Sequence, residues 1–181
     1  MSTQAEKLSQ EAKRAYEQGQ YGHAVELFLQ AQQAFQQAGE TLMAAEMANN
    51  ASVAALQAND AEAALQYAQP TISLFEQAED ARRAGMAWGN TAAALEALGR
   101  LDEALDAYGR AADLLKQANE PDLRLHVMQA ISALQLRTGR QLEALASMQA
   151  GLDGIAHPSP KQRFLKRLLK VPFEWLNKRF S

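Results

Sequence analysis

The chain has 181 residues, 48% hydrophobic but only 7% aromatic, with a net charge of −3; this is one domain or one short repeat array, in which alanine supplies much of the apolar content. Cysteine is absent, which excludes disulfides and cysteine-bound metals, and no run approaches the ~18 apolar residues of a membrane span. With 10 Gly, 5 Pro and no alternating run of β-branched residues, the composition predicts an all-α fold.

The first segment, Met1 to Gln20, is polar and helical in pattern. It lacks the apolar centre of a signal peptide, so a cytoplasmic location is expected. Its apolar positions Leu8 and Ala12 lead to Gly19, and beyond it stand Ala24, Val25, Phe28 and Phe35. This series returns every 40 residues. Gly19, Asn59, Gly99 and Gly139 mark one column, and Ala24, Ala64, Ala104 and Ala144 another. Leu8, Ala48, Trp88 and Met128 match upstream, and Phe35, Phe75, Leu115 and Ile155 downstream.

Each unit reads as two helices. The Gly or Asn tolerates φ > 0 and suits a helix C-terminus. A short turn follows, with Asp60 and Asp102 as expected N-caps, and the second helix runs to Ala38, Ala78 or Ala118. The alanine column has a packing reason: a small side chain lets helices cross closely, and a larger one would push them apart at about 1–3 kcal/mol. A single unit cannot cover its own apolar face, so neighbours must stack. The expected repeats are 1–40, 41–80, 81–120 and 121–157, a solenoid over 1–157, followed by a separate segment, 158–181.

The third repeat, from Trp88 through Ala92, Gly99, Ala104, Tyr108 and Ala111, resembles a tetratricopeptide (TPR) motif, as does the first through Leu8, Ala12, Gly19, Tyr21, Ala24, Phe28 and Ala31. Repeats two and four match less well: Ala68 and Met148 stand where Tyr or Phe is usual, and Thr71 and Gly151 where Ala is usual. The length departs from the common 34-residue unit and is similar to the 40-residue class of kinesin light chains, LGN-type adaptors and bacterial regulators. The resemblance implies an α-α superhelix of four helix-turn-helix repeats. Its concave wall, built mainly from the first helices, would bind another protein as an extended peptide or a helix. Carried over by register, the groove candidates are Lys13 in repeat one, Asn49, Asn50 and Val53 in repeat two, Met86 and Asn90 in repeat three, and His126 and Gln129 in repeat four. Asn50 and Asn90 share one register. Such amides either grip a peptide backbone or bond between helices inside the stack, because a carboxamide both donates and accepts. Met86 and Asn90 stand where a chaperone-tail clamp would need cations, which disfavours that ligand.

No catalytic constellation is legible. His23, His126 and His157 are far apart, there is no Gly-rich phosphate loop and no nucleophile motif, so the chain reads as a non-enzymatic adaptor needing no cofactor. Trp88 falls in a packing column and reads as core rather than as a ligand platform.

The last segment changes character. His157-Pro158-Ser159-Pro160 breaks the helical pattern. Residues 1–160 hold 11 Lys and Arg against 20 Asp and Glu, whereas 161–181 hold 7 basic residues and the single acid Glu174. Phe164, Leu165, Leu168, Leu169 and Trp175 recur at helical spacing, with Lys166, Arg167 and Lys170 among the interleaved bases. This predicts a basic amphipathic helix over 161–178 that buries Phe164, Leu168, Leu169 and Trp175, either on the fourth repeat or in a bilayer surface. Three roles fit it: a cap on the last repeat, an interfacial helix on an anionic membrane that would make the chain a membrane-peripheral assembly factor, or a tail docked across the acidic groove. Nucleic acid is not an expected partner, since the remainder of the chain is acidic.

Overall fold

The computed structural model describes residues 2–179, with side chains described for 4–169. The described residues form nine helices and no strand: α1 (Ser2–Glu17), α2 (Tyr21–Gln37), α3 (Thr41–Gln57), α4 (Ala61–Gln77), α5 (Ala81–Ala97), α6 (Leu101–Gln117), α7 (Pro121–Arg137), α8 (Gln141–Asp153) and α9 (Pro160–Arg179). Successive helices run antiparallel in pairs. Two compact units result, Met1–Leu114 and Leu115–Ser181, and the boundary falls inside α6.

The helices start at Tyr21, Thr41, Ala61, Ala81, Leu101, Pro121 and Gln141. The local chain logic therefore repeats every 20 residues, within the 40-residue period of the side chains. Each of the seven turns from α1 to α8 has one left-handed residue: Gly19, Gly39, Asn59, Glu79, Gly99, Asn119 and Gly139, with φ between 55 and 78°. At each, its N–H and the next N–H bond back to carbonyls of the last turn, as in Gly99 to Glu96 (3.0 Å) and Arg100 to Leu95 (2.9 Å). This is a Schellman closure. The second donor is at once the N-cap residue of the following helix: the Arg100 carbonyl accepts from Ala104 at 2.9 Å. One residue thus ends one helix and begins the next, which leaves three-residue connections.

The capping expectation is half met. Asp60 accepts from the Ala63 N–H at 3.0 Å, but Asp102 lies inside the first turn of α6, two residues past the cap slot held by Arg100. There its charge faces the positive end of the helix dipole instead. Asp80 is a second side-chain cap, accepting from Arg83 N–H at 2.9 Å. The second helices of repeats one and two end at Gln37 and Gln77, and Ala38 and Ala78 are their C-caps.

In the first unit the core joins α1, α2 and α3 through Ala12, Ala24, Phe28, Phe35, Met47 and Ala51. Ala24, Ala64 and Ala104 have at most 1% exposure. Full burial of alanine at these points means neighbouring helices touch backbone to backbone, as the repeated column requires. Thr71, at an expected alanine, satisfies its hydroxyl on the Ala68 carbonyl at 2.7 Å.

In the second unit Leu125, Leu152, Ile155 and Leu169 bring α7, α8 and α9 together. Gly151 stands where Ala is usual because no Cβ fits. One built there would lie 2.8 Å from Met128 Cβ and 3.0 Å from Leu125 Cδ1. Among the described residues no helix is long and apolar enough to cross a membrane.

Candidate functional site

Three of the groove candidates converge in the first unit. Lys13 lies on α1, and Asn50 and Val53 lie on α3. Together with Tyr16, Glu17 and Phe28 they line an open recess of ≈190 Å³. Phe28 is buried and Tyr16 and Val53 are half-buried, so the floor is apolar. Lys13 and Glu17 are exposed and Asn50 is half-buried; they supply a cation, an anion and a carboxamide around it. The period explains the convergence: Lys13 and Val53 occupy one register position, 40 residues apart, and bringing α1 beside α3 sets them at one opening.

At the step from α3 to α5 the same face is tied shut. The Asn90 amide donates to the Asn49 side-chain oxygen at 3.0 Å. Asn49 is buried at 5% exposure. A buried amide is costly unless bonded, and this bond supplies its acceptor with a partner. Arg83 reaches from α5 to Glu46 on α3 at 3.1 Å and also holds Asp80 at 3.4 Å. Of the two register-matched amides, then, Asn50 lines a recess and Asn90 bonds between helices. Met86 is half-buried on α5. His126 and Gln129 are exposed on α7, in the second unit.

Trp88 is part of the packing around Phe75 and Ala84. Its indole N–H donates to Glu76 at 3.0 Å, and the Arg110 guanidinium sits 4.9 Å from the ring centroid. Beside it, buried Tyr108 on α6 donates to Glu96 at 3.1 Å. Burial first, then the Glu96 charge, pushes the Tyr108 phenol above its ordinary range. At the exposed start of α6, Arg100 and Glu103 pair at 2.7 Å. Their hydrogen bond raises the arginine's pKa and lowers the glutamate's. Among the described residues no three His, Asp or Glu side chains gather as a metal site.

The final helix lies as a cap would. Leu169 is buried against Leu125, Leu152 and Ile155, with Leu165 packed beside it. Lys166 bonds to Asp153 of α8 at 2.8 Å. Of the two covers expected for Phe164 and Leu168, the last repeat is not one: they are 70% and 54% exposed. Leu165 and Leu169, four residues apart, occupy the inward face, and Phe164 and Leu168 fall on a neighbouring stripe about 100° round the helix. Arg167 is exposed. Lys170 and Trp175 lie outside the described side chains.

The sequence matches no protein-family model and no curated protein. Solved structures do match. A Podosopora anserina protein described as a kinesin light chain with nearly identical TPR-like repeats superposes with a TM-score of 0.74 at 14% identity, over 99% of this chain and 90% of that one. BtubC (BKLC) from P. vanneervenii gives 0.71 at 19% identity, over 86% of this chain and 66% of that one. MamA gives 0.51 at 16% identity, over 85% and 93%. The structural neighbours are TPR-like repeat proteins. At these identities the likeness shows the TPR-like fold, which matches the helical pairs and turns above.

Proposed function

We propose that this chain is a non-enzymatic adaptor that binds an extended peptide of another protein along the first helices of its TPR-like repeats. The observation that carries the reading is the recess at α1 and α3, where Lys13, Asn50 and Val53 meet over Phe28 and Tyr16. The apolar floor has room for one apolar side chain, whose transfer from water is the main favourable term. The Asn50 carboxamide offers a donor and an acceptor to a peptide backbone. The rim charges of Lys13 and Glu17 select flanking residues and steer encounter more than they add affinity. A cytoplasmic setting accords with the cysteine-free sequence.

The test is a peptide-display selection against the full chain. Peptides selected by the wild type should bind Asn50→Ala and Val53→Asp at least about tenfold more weakly, the scale of losing one central contact. They should bind Gln69→Ala, on α4, with unchanged affinity. Peptides that bind all three variants equally would move the site away from this recess.

A further inference from the structure

The sides of α9 do different work. Leu169 is buried and Leu165 half-buried in the core with α7 and α8, and Lys166 is engaged by Asp153 at 2.8 Å. The adjacent stripe, about 100° round the helix, carries Phe164 at 70% and Leu168 at 54% exposure. Exposed Lys161, Arg163 and Arg167 surround them. None of the three is paired with a carboxylate among the described residues, and the Arg163 Nε donates to the Pro158 carbonyl at 3.0 Å. The helical backbone continues to Arg179. In the sequence, Val171 and Trp175 stand seven residues after Phe164 and Leu168, two helical turns further on.

We propose that α9 caps the last repeat with its Leu165–Leu169 side while its Phe164–Leu168 side lies on an anionic bilayer surface. Capping and membrane contact are then simultaneous, because they use different sides of one helix. The charge around this stripe selects the occupant. Residues 161–181 hold seven basic residues and one acid. An apolar stripe bordered by cations that have no carboxylate partner among the described residues fits a layer with acyl chains beneath anionic headgroups. It also disfavours a second copy of the same positive helix, which would bring like charges together.

The test uses the full chain with phosphatidylcholine vesicles, with and without phosphatidylserine. Sedimentation with the anionic vesicles, weakened by salt, is expected, with little or none on neutral ones. Phe164→Ser/Leu168→Ser should weaken it at least about tenfold, as should Arg163→Glu/Arg167→Glu. Both variants should melt as the wild type does, because the altered side chains are exposed. Leu165→Ala/Leu169→Ala should instead lower the melting temperature. Equal sedimentation with both vesicle types, or none with either, would overturn the proposal. So would wild-type sedimentation of Phe164→Ser/Leu168→Ser. A stable dimer that this variant dissolves would equally overturn it, by showing that a second copy covers the face.

Discussion

The Asn90 side-chain amide on α5 donates to the Asn49 side-chain oxygen on α3 at 3.0 Å. Asn49 is 5% exposed, so the bond satisfies a polar group that would otherwise be stranded. Asn90→Ala should therefore destabilise the chain by about 1–3 kcal/mol, the desolvation cost of an orphaned buried amide. Asn50→Ala, beside an open recess, should change stability by less than about 0.5 kcal/mol. Denaturant midpoints at equal slopes compare the two. Equal effects would mean that the Asn49–Asn90 bond contributes nothing to the stack.

Glu79 holds φ at 55° in a turn position that Gly19, Gly39, Gly99 and Gly139 fill elsewhere. A left-handed conformation costs an ordinary side chain about 1–2 kcal/mol, and glycine loses about 0.5–1 kcal/mol in chain entropy. Glu79→Gly should thus raise stability by about 0.5–1 kcal/mol. A lower melting temperature for this variant would mean that the Glu79 side chain contributes more than the backbone strain it imposes.

Gly151 has the contrary problem. An added methyl would sit 2.8 Å from Met128 Cβ, on helices that cannot separate without opening the core of α7 and α8. Gly151→Ala should cost about 1–3 kcal/mol by overpacking, despite alanine's better helix propensity. Ala104→Leu in the first unit should cost a similar amount, because Ala104 is fully buried. An unchanged denaturation midpoint for either would refute close contact at that crossing.

Tyr108 predicts a pH dependence. Burial and the Glu96 charge raise its folded pKa. A group raised on folding contributes stability that is complete below its unfolded value, about 10 for a phenol, and is lost as pH climbs toward the folded value. Above about pH 10 the unfolded chain releases this proton first, so stability should fall with pH. Tyr108→Phe should remove that part of the alkaline slope and, by losing one hydrogen bond, cost about 0.5–1.5 kcal/mol near neutrality. Stability curves of the two proteins that stay parallel above about pH 10 would show that Tyr108 ionises as freely folded as unfolded.

The reading of helices and turns from sequence succeeded wherever the determinants are local. The Gly and Asn columns mark turns because those residues accept positive φ with least strain. The complementary turns at Gly39, Glu79 and Asn119 follow directly on the helix ends expected at Ala38, Ala78 and Ala118, but their column holds three different residue types and so carries no uniform signal. Only Glu79 among them is a residue with no left-handed preference, so comparing positions 20 apart as well as 40 would have exposed the rest. Asp102 was misplaced by two residues for a related reason. An acidic residue near a helix start is favourable both as a cap and within the first turn, and composition does not separate the two.

Local information thus determined the helices, their lengths, their turns and the small residues at crossings, since each depends on neighbours within a few positions. The recess and the tail depended on tertiary contact. Asn50 and Asn90 share one register, yet one lines an opening and the other bonds to Asn49. The outcome is set by which side chain stands opposite on the adjacent helix. In α9, Phe164 and Leu168 are as apolar as Leu165 and Leu169, and all four recur at helical spacing. The α7–α8 core buries Leu169 with Leu165 packed beside it, and the Lys166–Asp153 bond goes with that rotation of the helix, so the choice between two equally apolar stripes is made by what α7 and α8 present.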